Sequence, residues 1–207
     1  MESHLIVQGS PEWFKFRLGK VSASRVADVM VKTKSGYGAG RANYMSELLC
    51  QRLTGNREEG FTSAAMQRGT DLEPIARGRY EIENDLLVME VGCIEHPDIP
   101  NMIASPDGMV GEDGLLEIKA PNTATHIKFL QSGKIQSNYQ KQMTVQMLCT
   151  ERNWCDFVSF DDRLPEHLQY KCVRFEIDAD RAKEITTEVE IFLKELDELI
   201  EKLGEAK

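Results

Sequence analysis

Two carboxylates and an ammonium recur at chemically useful spacing between Ser105 and Lys119. Asp107 sits in a Ser-Pro-Asp-Gly turn, and ten residues later Glu117 and Lys119 flank Ile118. In a strand, residues two apart share a face, so Glu117 and Lys119 converge while Ile118 points into the opposite, buried layer. Carboxylates placed in this way suit a hard cation such as Mg²⁺. A lysine beside the cation orients or deprotonates a water that the metal holds. Glu-x-Lys alone is common in amphipathic strands, so the turn-borne Asp107 and the apolar Leu115-Leu116 give the pattern its content.

Pro106-Asp107 followed by Glu117-Ile118-Lys119 resembles the PD-(D/E)xK nuclease motif. The elements that must position these residues are legible on both sides. Ser10-Pro11-Glu12 starts a helix that ends at Gly19, and Ser22-Ala23-Ser24 starts another through Val26, Val29 and Met30. Lys32–Arg41 is basic and glycine-rich and reads as a flexible loop carrying Lys34. Residues 42–54 form a helix stopped by Gly55. Thr62 caps a further helix that Pro74 interrupts or re-initiates before it ends near Glu83. Glu73, at that junction, is either a solvated carboxylate or one that reaches the metal site from a helix. Leu86–Lys119 reads as an antiparallel meander of short strands. Helices near Thr123–Leu130 and Ser137–Cys149 follow, then strands near Trp154–Phe160 and Leu168–Ile177. Asp178 caps a last amphipathic helix.

The expected architecture is therefore α/β: one domain over residues 1–207, with a central mixed sheet flanked by helices around a restriction-endonuclease-like core. N-terminal helices occupy 10–83, the catalytic sheet and helices 86–177, and the C-terminal helix 178–204.

The chain has 207 residues, 41% of them hydrophobic, which suffices for one sizeable core. It carries no apolar run of about 18 residues that would span a membrane, and its N-terminus has no secretory pattern. Five cysteines without a CxxC read as reduced thiols, and a cytoplasmic location is expected. Net charge is −9, unevenly spread. Residues 1–60 hold nine basic and six acidic groups, whereas 176–207 hold five basic and eleven acidic. A DNA-facing surface would draw on the N-terminal cations, with the acidic last helix turned away.

Four segments in order resemble the phage lambda exonuclease and YqaJ-type viral recombinase family. They are Trp13-x3-Arg17-Leu-Gly-x2-Ser22-Ala-Ser24, Gly69-x3-Glu73, Ser105-Pro-Asp-Gly with Leu116-Glu-Ile-Lys-Ala-Pro121, and Tyr139-x2-Gln142. The resemblance implies a Mg²⁺-dependent enzyme, with two ions and Mn²⁺ as a substitute, that digests one strand of duplex DNA processively from its 5′ end. It implies a ring-shaped homotrimer, encoded by a phage or prophage, that leaves 3′ single-stranded tails for a single-strand annealing protein. Carried over by motif, Asp107, Glu117 and the Ile118 carbonyl hold metal. Lys119, Glu73 and Gln142 position or activate the attacking water. Arg17, Ser24 and Ser105 receive the terminal 5′-phosphate.

The chain departs from the family in one place. The family's arginine after the lysine motif is missing, and Thr125 and His126 are the donors available there, the latter charged only when protonated. Met66 is a candidate wedge at the duplex end and Lys34 a candidate duplex contact, against core packing and a solvated charge. Two other readings share the same residues. A restriction-type endonuclease would also cut closed circles. A catalytically silent DNA-binding or assembly module would have no need of intact Asp107, Glu117 and Lys119.

Overall fold

The computed structural model describes residues 6–34, 36–57 and 63–205. Ser10 caps α1 (Pro11–Arg17): its side chain accepts the Trp13 N–H, and Pro11 fills a position that needs no donor. A two-residue strand β1 (Val21–Ser22), a 3-10 turn and the short α2 (Val26–Val29) follow. Neither Ser22 nor Ser24 caps that turn; their hydroxyls pair with each other at 3.3 Å.

The glycine-rich segment expected as a flexible loop is a hairpin of β2 (Lys32–Thr33) and β3 (Gly36–Tyr37). Lys32 and Tyr37 grip the same carboxylate, Glu188, at 2.6 and 2.7 Å, and this seats the hairpin on the far end of the chain. The next helix, α3 (Ala39–Thr54), starts three residues earlier than expected and stops at left-handed Gly55.

One helix, α4 (Ala64–Asn84), runs unbroken through Pro74, where an interruption was expected. Proline removes one i→i−4 hydrogen bond, but Leu72, Ala76 and Tyr80 bury the helix face and hold it in register. The cap read at Thr62 lies outside the described residues; Ser63 accepts the Met66 N–H at 3.2 Å.

The strands from Leu86 onward do not form one meander. In order they are β4 (Val88–Met89), β5 (Ile94–Glu95), β6 (Met102–Ala104), β7 (Gly108–Val110) and β8 (Gly114–Lys119). Two of them leave the main sheet: β5 and β6 join β1 in a small sheet of order β1-β6-β5. Met102, Ile103 and Ala104 are fully buried there, and the pair packs on the helix over Ser137–Thr150 and on the 3-10 turn after β1, within the cluster they share with the N-terminal helices. The chain then builds α5 (Thr123–Ser132), α6 (Ser137–Thr150), β9 (Trp154–Phe160), β10 (Tyr170–Glu176) and α7 (Ala179–Glu205). Asp178 caps α7 by accepting the Arg181 N–H at 2.7 Å.

The main sheet has the order β10-β9-β8-β7-β4. Only β8 and β9 are parallel, because the α5–α6 crossover joins them. On one face Leu116, Ile118, Val158 and Phe160 pack on Leu72, Ala76 and Tyr80 of α4. On the other, Leu115, Cys155 and Phe157 pack on Phe129 of α5 and on Met143 and Met147 of α6. The opposite side of α6 offers Val145 and Cys149 to a third cluster with Val26, Tyr44, Leu48 and the Ile185, Val189, Phe192 and Leu196 stripe of α7. Helix α6 is thus buried on both sides, which lets polar residues on it serve the interior.

The acidic α7 is not turned away from the N-terminal cations. Arg41 pairs with Glu195 at 2.5 Å and Arg52 with Asp197 at 2.5 Å, alongside the Lys32–Glu188 pair. Three of the nine N-terminal cations are neutralised by this helix, and Arg17 is outside these pairs.

Glycine is required at the mouth of β8. A Cβ on Gly114 would lie 2.1 Å from ring carbons of Trp154, its register partner on β9. Gly114→Ala is expected to force the two strands apart and cost about 1–3 kcal/mol. Thermal denaturation should show a fall in Tm of roughly 2–4 °C per kcal/mol for a chain of this size; an unchanged Tm would mean that the ring moves aside freely.

Candidate active site

Glu117 is the centre of the site. It lies on β8 between two hydrogen-bonded neighbours and is completely buried. The strand alternation that sends Leu116 and Ile118 toward α4 sends Glu117 toward α6, where two amides meet it. Gln142 Nε2 donates to Glu117 Oε1 at 2.7 Å, and Gln146 Nε2 donates to Oε2 at 2.6 Å. Lys119, on the same face of the strand, forms an ion pair with Oε1.

Asp107 stands at the entrance of β7, level with Glu117. Its N–H donates to the Leu116 carbonyl at 3.1 Å, and its Oδ2 accepts the Ile118 N–H at 2.6 Å. Within a strand, one residue's N–H and C=O face the same edge, so the Ile118 carbonyl also points toward Asp107. Two carboxylates and a carbonyl therefore face one another at the strand end. Among the described residues no group of three or more Asp, Glu, His or Cys side chains converges on one metal position. This sparse oxygen set fits Mg²⁺, which takes one or two carboxylates and fills its remaining positions with water and substrate oxygens.

The electrostatics agree with that donor set. Burial, the Glu117 charge and the Glu73 charge push the Asp107 carboxyl well above its ordinary value, against the pull of Lys119 and the Ile118 N–H. Glu73 projects from α4 and is paired with Arg77 at 2.7 Å. Its carboxyl is also raised, first by burial, and Glu117 adds to the effect against the pull of Arg77. Glu73 thus has Arg77 as its ion-pair partner and lies within electrostatic range of Glu117. Burial disfavours the charged form of Lys119, but Glu117 and Asp107 outweigh it, and the ammonium is held above its ordinary value.

A second cleft, about 370 Å³, opens between α1, the 3-10 turn and α3. Arg17, Ser22, Ser24, Arg57 and Met66 line it. Arg17 Nη1 donates to Ser105 Oγ at 3.4 Å, and Ser105 is two residues before Asp107. The structure thus joins Arg17 and Ser105 directly and places Ser24 on the wall of the same cleft. Met66 is 60% exposed and lines this cleft, which excludes core packing for it. Lys34 is exposed in the turn of the β2–β3 hairpin and is not brought to either cleft.

His126 is not brought to the Arg17 cleft either. It is completely buried, with Nδ1 bonded to Ser159 Oγ at 2.7 Å and Nε2 to the Leu168 carbonyl at 2.8 Å. Both ring nitrogens are committed to the fold, so His126 has nothing to offer a phosphate. Thr125 is half-buried and shares a different cleft with Lys119.

Three residues at these sites were given no site role by the sequence. Gln146 stands one helical turn from Gln142, and its i,i+4 spacing on a doubly buried helix was the available signal. Trp13 donates its Nε1–H to Ser105 Oγ at 3.1 Å and stacks under Arg17, with 4.1 Å between the guanidinium and the ring centroid. Burial pushes the Cys93 thiol up, while the neighbouring Ser105 hydroxyl and Arg17 pull it back; no local sequence pattern announces this contact.

Comparison with known proteins follows the same lines. Residues 12–153 match the YqaJ-like viral recombinase domain. The alkaline exonuclease LHK-Exo from Laribacter hongkongensis is 58% identical, with a TM-score of 0.89 over 95% of this chain and 97% of that one. A structure of LHK-Exo in complex with dAMP superposes with a TM-score of 0.90 at the same identity and coverage. A phage-related exonuclease from Haemophilus somnus 129PT shares the fold, with a TM-score of 0.70 at 16% identity over 89% of this chain and 96% of that one. No curated protein matches the chain.

Raised carboxyls have a consequence for stability. Asp107 and Glu73 keep their protons to higher pH in the folded chain than in the unfolded one, so their contribution to stability falls as pH climbs from about 4 through the raised values. Asp107→Asn removes one of the repelling charges and keeps an acceptor for the Ile118 N–H. In EDTA at pH 8 the variant should be more stable than the parent by on the order of 1 kcal/mol. The advantage should shrink toward pH 4. Denaturation in urea at both pH values tests this, and a gain at pH 4 alone would contradict it.

Proposed function

The chain belongs to the YqaJ-like viral recombinase domain family and has the fold of alkaline exonucleases, and we propose that it is a Mg²⁺-dependent 5′-to-3′ exonuclease acting on the ends of duplex DNA. The observation that carries this reading is the adjacency of two sites on one turn. Ser105 belongs to the cleft of Arg17, and Asp107, two residues on, belongs to the carboxylate site of Glu117. A terminal phosphate bound at the first would put a nearby phosphodiester at the second.

The geometry supports the following roles. Asp107, Glu117 and the Ile118 carbonyl would hold one or two Mg²⁺ ions, with Mn²⁺ a substitute of the same oxygen preference. When bound, the metal supplies Lewis-acid stabilisation of the reacting phosphate and lowers the pKa of a coordinated water. Gln142 and Gln146 hold both oxygens of Glu117, so the carboxylate cannot rotate away. The Lys119 ammonium stabilises charge that builds on the phosphate. Glu73, with its raised carboxyl, accepts a proton from the attacking water, a task that favours a base titrating nearer neutrality. Arg17 offers a forked donor to the terminal phosphate, and Trp13 holds the guanidinium flat beneath it. Ser24 and Ser105 add neutral donors. Exposed Met66, at the rim of that cleft, is positioned to part the last base pair.

The family resemblance extends the proposal to a ring-shaped trimer. It would work processively, leave 3′ tails for a phage single-strand annealing protein, and act in the cytoplasm of a bacterial host. No described helix is long and apolar enough to cross a membrane.

Purified protein with Mg²⁺ should release nucleotides from linear duplex and leave covalently closed circles intact, and EDTA should abolish the reaction. Lys119→Ala should lower the rate about 10²–10³-fold, the scale for one preorganised electrostatic donor. A 5′-phosphate on the substrate should accelerate digestion, and Arg17→Ala should erase that preference. Indifference of the parent enzyme to the 5′-phosphate would overturn the roles of Arg17, Ser24 and Ser105.

A further inference from the structure

The cleft that Thr125 shares with Lys119 has no part in the roles above. It encloses about 310 Å³ between α5, the start of α6 and β9. Phe129, Ile135 and Phe157 form its buried floor, and Lys128, Lys134 and Tyr139 its rim. Lys128 and Lys134 are exposed and form no ion pair among the described residues. No acidic residue lines the cleft, although the chain holds 34 acidic groups against 25 basic. Lys119 is paired with Glu117, but the two rim lysines give the cleft a local charge opposite in sign to that of the whole molecule.

The sheet fixes where this cleft stands. Ser105 and Asp107 lead into β7, Glu117 and Lys119 end β8, and the register pairs them with Phe157 and Ser159 of β9. Crossing the same end of the sheet, one passes from Ser105 to the carboxylates and then to the cleft over β9. Neighbouring strands are about 4.8 Å apart, so each step is shorter than a nucleotide is wide.

We propose that this cleft is a subsite for the strand being cut, and that it holds the nucleotide on the 3′ side of the reacting phosphate. The inference rests on the exonuclease reading. With a terminal phosphate at Arg17 and Ser105 and the reacting phosphate at Asp107 and Glu117, the strand continues across β8 toward β9. There Lys128 and Lys134 meet its next phosphate, and Tyr139 with the apolar floor receives the base. Ammonium–phosphate contacts and aromatic surface bind any base equally well, which suits an enzyme that must accept every nucleotide in turn. The cleft also explains why Lys119 is open on one side: its ammonium joins the two phosphate positions.

The charge-reversed variant Lys128→Glu/Lys134→Glu tests the assignment, because both side chains are exposed and their replacement does not touch the core. Binding of a short fluorescent 5′-phosphorylated duplex, measured by anisotropy in EDTA over a series of salt concentrations, should weaken at least about tenfold at low salt. The slope of log K against log[salt] should become shallower by about 1.4, the value for losing two single-strand phosphate contacts. Lys183→Glu/Lys202→Glu on α7 changes the net charge equally and should leave the slope near that of the parent. Equal weakening by both variants would assign the effect to net charge and overturn the subsite. So would parental binding by the Lys128/Lys134 variant while the parent enzyme digests linear duplex in Mg²⁺. A parent that digests no linear DNA would instead remove the premise, and the subsite with it.

Discussion

A fully buried carboxylate, Glu117, is the constraint around which the rest is arranged. Removing a carboxylate from water costs several kcal/mol even after the protein relaxes. Two amide donors and one ammonium offset that cost, since hydrogen bonds to a charged group contribute about 1.5–3 kcal/mol each. Both amides come from α6, so α6 must lie against the sheet in one register only. That register is enforced from both sides, by Met143 and Met147 on the sheet and by Val145 and Cys149 against the N-terminal helices. The parallel β8–β9 pairing follows, because α5 and α6 occupy the crossover between the two strands.

A second buried carboxylate performs the same service for the edge of the site. Asp161 is completely buried just after β9 and accepts bonds from Arg68 of α4 at 2.8 Å and from Arg163 at 2.7 Å. Burial alone would raise its carboxyl, but Arg163 and Thr123 outweigh burial and hold it well below the ordinary range. Arg163 in turn donates to the Pro121 carbonyl at 3.1 Å, two residues beyond Lys119. The helix that carries Met66 and Glu73 is thereby tied to the segment by which the chain leaves Lys119. A helix containing Pro74 has reason to need this anchor near its first turn.

The site was legible in sequence wherever its geometry is local. Asp107, Glu117, Ile118 and Lys119 lie on one turn and one strand, so strand period and turn chemistry suffice to bring them together. Ser10, Gly55 and Asp178 mark helix ends for equally local reasons. What escaped depends on long-range choice. Hairpin-like alternation cannot say that β5 and β6 abandon the main sheet, because that depends on β1, far earlier in the chain, and on α6, far later. His126 looked like a donor because it follows the lysine motif, but Ser159 and the Leu168 carbonyl, contributed by later elements, consume both its nitrogens. Pro74 looked like a break because propensity is a local rule, and burial of Leu72, Ala76 and Tyr80 overrides it.

Charge taught the most about the limits of counting. An acidic C-terminal helix and a basic N-terminal segment suggested opposite faces, one toward DNA and one away. They are instead partners: Glu188, Glu195 and Asp197 bind Lys32, Arg41 and Arg52. Arg41 is nearly buried, between Tyr37 and Phe192, and these pairs contribute to folding rather than to DNA attraction. Among the cations left for a polyanion, Arg17 lies on one side of the carboxylates and Lys128 and Lys134 on the other. A net charge of −9 is compatible with a DNA exonuclease. Diffuse positive charge would hold a duplex everywhere at once, whereas cations placed beside the carboxylates would act locally.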